Sequence, residues 1–457
     1  MAVAGSRRVR RLIAAVATAI LLLAQPAQAQ SILRDAETEA LFRDMSAPIV
    51  TAAGLRPADV SFALINDDSI NAFVVGGQTV YIHSGLIQAA DNANQVQGVI
   101  AHELGHIADG HVITSSEGQR PAMGIYLLSM VLGLAAMAAG GGEAGAGILA
   151  AGQQAAMGKY LAFNRVQEAT ADASAVRYLD TAGITGRGML EFFKKLQQQE
   201  FRYGTKNIDP FMQSHPLSGT RVATLTGDLQ ASKSWGKPLD PALEERFRRV
   251  KAKLDGYLLP PPQALQKYPD SDQSLDAHYA RAYAWHRAGY PQKADAEAEA
   301  LVAHAPDDPY FQEIMGQILL EAGKPKLALA PLKRATEGSR SDPLIATTYG
   351  HALIATEDAA NYDEAKRVLR GAVARDDENP FAWFQLGTAY ELTGDEARAA
   401  LASAERASMM GDDRTAADRA RYAMAGIPKN TPDWIRAQDI AMTAQNGLDK
   451  NGKKKRR

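Results

Sequence analysis

The 457-residue chain contains no cysteine. That excludes disulfides, thiolate zinc sites, a cysteine nucleophile and a lipid anchor on an N-terminal cysteine. It also has little net charge, -2 at pH 7, so nothing points to nucleic acid as a partner. Composition is otherwise that of a globular protein, with 46% apolar and 22% charged residues, which excludes wholesale disorder. The length exceeds one ordinary core and implies two or three domains.

Residues 1–29 have the composition of a secretory signal peptide. Arg7, Arg8, Arg10 and Arg11 precede an apolar run from Leu12 to Leu23, and Ala27-Gln28-Ala29 forms an A-x-A cleavage site. The apolar run is short for a membrane span. Cleavage after Ala29 would remove four arginines and no acids, taking the charge from -2 to -6. An exported chain without disulfides fits a bacterial periplasm.

Residues 31–56 have a helical pattern, followed by strands over 60–65, 70–75 and 79–83, with Gly76-Gly77 as a hairpin turn. From Asp91 onward, Val96, Val99, Ile100, Leu104 and Ile107 recur at helical spacing. A second long helix is expected over about 153–180, with Gly183 as its C-cap. Between the two lies a conspicuously apolar, then glycine- and alanine-rich, segment at 121–158. It reads as a helical hairpin near the site, either buried or dipping into the bilayer interface, with plain core packing as the alternative.

Pro260-Pro261-Pro262 marks a boundary, and repetition follows it. Asp308-Pro309 and Asp342-Pro343 stand 34 residues apart, with Gly316 and Gly350 at one offset; Asn379-Pro380 with Gly387 repeats the phrase. The period is that of tetratricopeptide repeats, which stack into a solenoid with a concave face. The expected organisation is a leader at 1–29, a first domain at 30–255, a linker at 256–268, repeats at 269–425 and a basic tail at 426–457. The fold class is mainly α, with a small β-sheet in the first domain and an α-solenoid behind it.

The chemistry concentrates in His102-Glu103-Leu104-Gly105-His106, an H-E-x-x-H sequence inside the first amphipathic helix. Residues i and i+4 share a helical face, so His102 and His106 can reach one metal, with Glu103 beside it as a general base. A catalytic zinc needs a third protein ligand. The metzincin spacing fails, because positions 109 and 112 hold Asp109 and Val112; His111 is off by one and reads as structural or supporting. The better candidate is Glu168, which pairs at i, i+4 with Asp172 on an alanine-rich helix. Asp172 would then fix the tautomer of a ligand histidine. The competing reading of that pair is an ordinary solvated acidic face.

At this point the chain resembles the gluzincin peptidases, which include the CAAX prenyl endopeptidases and the HtpX heat-shock proteases. The resemblance covers roughly 31–255, through Asn71-Ala72-Phe73, His102 to His106, Glu168 with Asp172, and Ser214-His215-Pro216. It implies a gluzincin metallopeptidase domain with one zinc on His102, His106 and Glu168, Glu103 as catalytic base and Asp172 as proton donor or support. Where the family usually reads Glu-x-Glu-Ala-Asp, this chain has Gln167-Glu168-Ala169-Thr170-Ala171-Asp172, which keeps the ligand position. The family pattern His-Pro-x-x-x-x-Arg matches His215, Pro216 and Arg221. His215 would either donate to the oxyanion of the tetrahedral intermediate or fill the fourth zinc position; otherwise it is a loop histidine at a helix start. Arg221 would orient it or bind a substrate carbonyl, and Asn71 takes a substrate-binding or supporting role.

With a leader in front and repeats behind, the chain is most similar to periplasmic members acting in outer-membrane protein quality control. That resemblance implies unfolded or misassembled outer-membrane proteins as clients and docking to the assembly machinery through the repeats; peripheral membrane contact follows from the apolar hairpin at 121–158. Extended substrate would pair with the strand at 70–75. The rival function is a non-proteolytic adaptor or chaperone that uses the repeats alone.

Overall fold

The computed structural model describes residues 31–138, 142–203, 211 and 214–455. The leader expected at 1–29 lies outside them. A four-stranded sheet, in the order β1-β2-β4-β3, is built from β1 (Ile32–Leu33), β2 (Ser61–Ile65), β3 (Ala72–Val74) and β4 (Thr79–His83). β2 and β4 run parallel, with Ser61 opposite Thr79 and Ile65 opposite His83, while β3 pairs antiparallel to β4 through the expected Gly-Gly turn. The helix expected over 31–56 is α1 (Ala36–Ala52), capped by Asp35, and the residues before it are strand instead. Ile32 and Leu33 pair with Ile65 and Leu64, and that ladder outcompetes helix at the start of the segment.

After α2 (Ser84–Ala89) comes α3 (Ala93–Ala108), whose Asn92 side chain accepts from the Gln95 N–H. α3 is sheathed on all sides: Val96, Val99, Ile100 and Leu104 are essentially fully buried among Leu41, Met45, Ile82, Phe192 and Phe193. Each such side chain contributes about 1.5–3 kcal/mol of burial, so α3 is a rigid mount. Two glycines let it be crowded. A Cβ at Gly98 would lie 2.5 Å from Met189, and one at Gly105 2.8 Å from the Ala171 carbonyl oxygen.

α4 (His111–Ala138) and α5 (Gly142–Ala182) form the expected helical hairpin, and α5 begins well before the expected 153. The core-packing alternative for 121–158 is overturned. Only 11% of Arg120–Met137 is buried, and Leu128, Val131 and Leu134 are each more than half exposed. The hairpin projects from the domain, and only the C-terminal half of α5 enters the core. α6 (Arg187–Tyr203), α7 (Gly219–Ala231) and α8 (Pro241–Leu258) close the first domain.

The expected linker at 256–268 is not an open connection. Pro261 and Pro262 occupy the first positions of α9 (Pro261–Lys267), where a missing N–H costs nothing. Gly256 of α8 lies so close to α10 (Leu275–Arg287) that a Cβ there would meet the Ala280 carbonyl oxygen at 2.2 Å. Buried charges tie this junction together: Lys253 pairs with Asp35, Arg249 with both Glu37 (2.9 Å) and Asp308 (2.8 Å), and Tyr279 donates to Glu37.

The repeats then follow as helix pairs: α10 with α11 (Pro291–His304), α12 (Pro309–Glu321) with α13 (Pro325–Gly338), α14 (Pro343–Ala355) with α15 (Tyr362–Arg375), and α16 (Pro380–Leu392) with α17 (Glu396–Met409). Gly316 and Gly350 face Leu332 and Leu369 of their partner helices, as their shared offset requires. The segment expected as a basic tail carries helix instead. α18 (Asp413–Gly426) and α19 (Pro432–Lys455) make a fifth pair, with Ala437, Ile440 and Ala444 buried against Ala416 and Ala420.

Candidate metal centre

α3 and the C-terminal half of α5 cross where Gly105 meets Ala171, and that contact brings two sets of side chains together. His102 and His106 project from α3, with their Nε2 atoms 3.2 Å apart. Glu168 of α5 places Oε2 3.3 Å from His102 Nε2 and Oε1 3.4 Å from His106 Nε2. His215 arrives from the loop before α7, with Nδ1 3.2 Å from His102 Nε2 and 3.1 Å from Glu168 Oε1. One ligand atom from each of these four residues falls within 4.8 Å of the others. Three nitrogens and a carboxylate, converging this closely in a buried site, suit a small divalent cation.

Further residues hold the cluster in place. Asp172 Oδ1 is 3.0 Å from His102 Nδ1, the nitrogen facing away from the cluster. Arg221 grips Asp172 with two N–H groups, at 2.5 and 2.8 Å, and reaches Glu168 Oε2 at 2.8 Å. It also donates to the backbone carbonyl of His215 at 3.2 Å. The Arg221 side chain is mostly covered and touches Asp172, Glu168 and the His215 backbone at once.

Glu103 is 1% exposed, and its buried Oε1 has no hydrogen-bond partner among the described residues; His215 Nε2 is 3.5 Å away. An orphaned carboxylate oxygen at the lip of a ligand set suits a group that receives a proton from water. Burial raises the Glu103 carboxyl above its usual range. For Glu168 burial also works upward, but His215, His102 and His106 hold it well below the usual range. Burial opposes the charge on His102 as well, yet its bonds to Asp172 and Glu168 lift it to about 9, whereas His106 is pushed down to about 4, chiefly by burial.

His111, off by one for a ligand, places Nδ1 3.0 Å from Nδ1 of His106 and thus touches that ligand's remote side. Asn71 is buried just before β3, and its Oδ1 has no hydrogen-bond partner among the described residues. Sequence reasoning missed the aromatic wall. Phe193 meets His102 edge-on at 5.9 Å, and the Phe211 ring lies 4.8 Å from that of His215. Phe211 stands at i-4 from His215, a spacing that could have marked it, and its N–H donates to the Ile70 carbonyl just before β3.

Residues 33–228 match the model of peptidase family M48. That stretch is similar to the M48 peptidases and makes up less than half of the chain. The chain is 26% identical to the β-barrel assembly-enhancing protease of Yersinia pestis, over 77% of this chain and 71% of that one. It is 27% identical to the protein of the same name from Escherichia coli K12, over 80% and 71%. The tetratricopeptide-repeat protein YrrB, described as having an unusual peptide-binding site, superposes with a TM-score of 0.31 at 20% identity, covering 38% of this chain and 91% of its own. The M48 match and the relatives named as proteases identify the chain as a metalloendopeptidase, and the cluster of His102, His106, Glu168 and His215 fits a metal site.

Proposed function

We propose that this chain is a zinc-dependent endopeptidase of the Gram-negative periplasm that acts in outer-membrane protein assembly, cleaving unfolded or misassembled clients. The observation that carries the chemistry is the juxtaposition of the four-residue ligand cluster with the partnerless Glu103 oxygen. The periplasmic setting and the clients rest on the named relatives and on the leader-like residues 1–29.

His102, His106 and Glu168 would hold the zinc. When bound, zinc supplies Lewis acidity, polarising the scissile carbonyl and lowering the pKa of water to about 7. Glu103 takes the proton from the attacking water and later delivers it to the leaving nitrogen. Asp172 fixes the tautomer of His102, and Arg221 keeps Asp172 charged and in place. His215 occupies the fourth corner of the cluster, where a water would have to enter, so it acts as a plug that withdraws before turnover. Extended substrate pairs with the outer edge of β3, which has no strand partner among the described residues. The solenoid serves to recruit clients and assembly partners.

The test is client trapping. A Glu103→Gln chain expressed in the periplasm should accumulate uncleaved outer-membrane proteins in stable complexes. Recovery of no outer-membrane client, from a variant that still folds and binds metal, would refute the assignment of substrate.

A further inference from the structure

The hairpin of α4 and α5 exposes apolar side chains that a soluble protein would bury. Arg120–Met137 is long and apolar enough to cross a membrane, yet only 11% of it is buried. Met123, Leu127, Leu128, Val131, Leu134 and Ile148 are all exposed. With Tyr126 and Leu132, also exposed, they spread around more than half of the circumference of α4, wider than the stripe of a helix that docks on a protein, while the α5 arm adds Ile148 and Met157 to a surface of mostly alanine and glycine. Along the seam between the two helices, glycines pack against Ser129, Leu149 and Met137. Gly152 abuts Ser129, and Gly133 and Gly145 lie so close that a Cβ on either would meet the other's carbonyl oxygen within 3 Å. Small residues that let two backbones approach are how helices pair where the surroundings are themselves apolar.

Charge marks the ends of this rod. Between 121 and 158 the only charged residue is Glu143, in the first turn of α5. Arg120, Lys159 and Arg165 are exposed at the base, with Tyr160 beside them, as side chains that sit among lipid headgroups are placed. The exposed Gln153 and Gln154 lie within two turns of Lys159, near that boundary. From Arg120 to Met137 the helix is about 27 Å long at 1.5 Å per residue, close to the thickness of a bilayer's hydrocarbon core.

We infer that the hairpin inserts tip-first into a phospholipid bilayer, with Arg120 and Lys159 at the near headgroups and Glu143 directed toward the far ones. A hairpin enters and leaves through the same face, so His102 and His106 before it and Glu168 after it stay on one side, as their shared cluster requires. The metal centre then stands directly above the membrane surface, at the root of the inserted arms. Clients would be met as they emerge from or approach lipid.

The absence of cysteine allows a clean test. Val131→Cys, and Leu327→Cys on the repeats as control, each accept one environment-sensitive fluorophore on the full mature chain. With vesicles of phosphatidylethanolamine and phosphatidylglycerol, the Val131 probe should shift to the blue and be quenched by lipids carrying a mid-chain nitroxide, and the Leu327 probe should do neither. The double variant Leu128→Glu/Val131→Glu should lose vesicle flotation, its partition falling on the order of a hundredfold, while keeping its metal content and its cleavage of a soluble unfolded polypeptide. Three results would overturn the inference. One is a Val131 probe that stays open to an aqueous quencher in the presence of vesicles. Another is a probe shielded without lipid in a chain of dimeric mass, which would assign the surface to a second copy. The third is undiminished flotation of the double-glutamate variant.

Discussion

Gly105 of α3 sits against Ala171 of α5 so tightly that a Cβ at position 105 would lie 2.8 Å from the Ala171 carbonyl oxygen and 2.9 Å from its Cα. The fourth residue of the H-E-x-x-H sequence therefore sets how closely the two ligand-bearing helices approach. Gly105→Ala should push α5 and Glu168 away from His102 and His106. Overpacking of this kind costs about 1–3 kcal/mol. Urea unfolding should show that loss, and metal analysis should show less than one zinc per chain. Full zinc occupancy with unchanged stability would mean that the crossing can yield.

That contact also shows which features the sequence makes legible. His102 and His106 follow from helical spacing, and the pairing of Glu168 with Asp172 from i, i+4 geometry. Gly105 gives no hint of its partner, because Ala171 is 66 positions away and acts through its backbone. The repeats were legible wherever an Asp-Pro or Asn-Pro phrase opens a helix. α18 falls inside the expected repeat region, but its pairing with α19 escaped because Asp412 caps α18 without a following proline, although Ala420 keeps the small residue at the same offset. The hairpin's length and apolar character could be read from sequence, but its exposure could not, since periodicity does not separate a helix buried in protein from one meant for lipid.

His215→Ala should raise cleavage of an unfolded polypeptide. His215 Nδ1 is 3.2 Å from His102 Nε2 and 3.1 Å from Glu168, in the corner where water must enter. Removing the plug should increase the initial rate about tenfold, which corresponds to about 1.4 kcal/mol in barrier. A fall of similar size would instead assign His215 to stabilising the oxyanion.

Arg221→Met should damage the metal-free protein more than the metal-loaded one. Asp172 and Glu168 are both buried; Arg221 pairs with Asp172 and reaches Glu168, which the histidines also hold. Leaving buried carboxylates unpaired costs about 3–5 kcal/mol. Chemical unfolding with and without chelator should show the larger deficit in the chelated state. Equal deficits would place the role of Arg221 elsewhere.

The junction between the peptidase domain and the repeats should respond to pH through Glu313. The residue keeps some surface, but its Oε2 is sealed and has no hydrogen-bond partner among the described residues, and burial raises the carboxyl to about 8. An acid whose pKa is raised by folding stabilises the protein below its ordinary value, near 4.5, and loses that contribution as pH rises through 8. Glu313→Gln should therefore be nearly neutral at pH 5 and stabilising by about 1–3 kcal/mol at pH 9. Thermal unfolding at both pH values checks this, and a variant less stable at pH 9 would contradict it.

The most direct test of the account pairs zinc content with cleavage rate in the Glu103→Gln chain. Glutamine keeps the shape of Glu103 but cannot take a proton, and the ligands His102, His106 and Glu168 are untouched. The account predicts one zinc per chain in both proteins, with cleavage of an unfolded polypeptide lowered about 10²–10⁴-fold in the variant, the usual contribution of a general base. A zinc-loaded Glu103→Gln chain that cleaves as fast as the native one, or a native chain that holds no zinc, would contradict it.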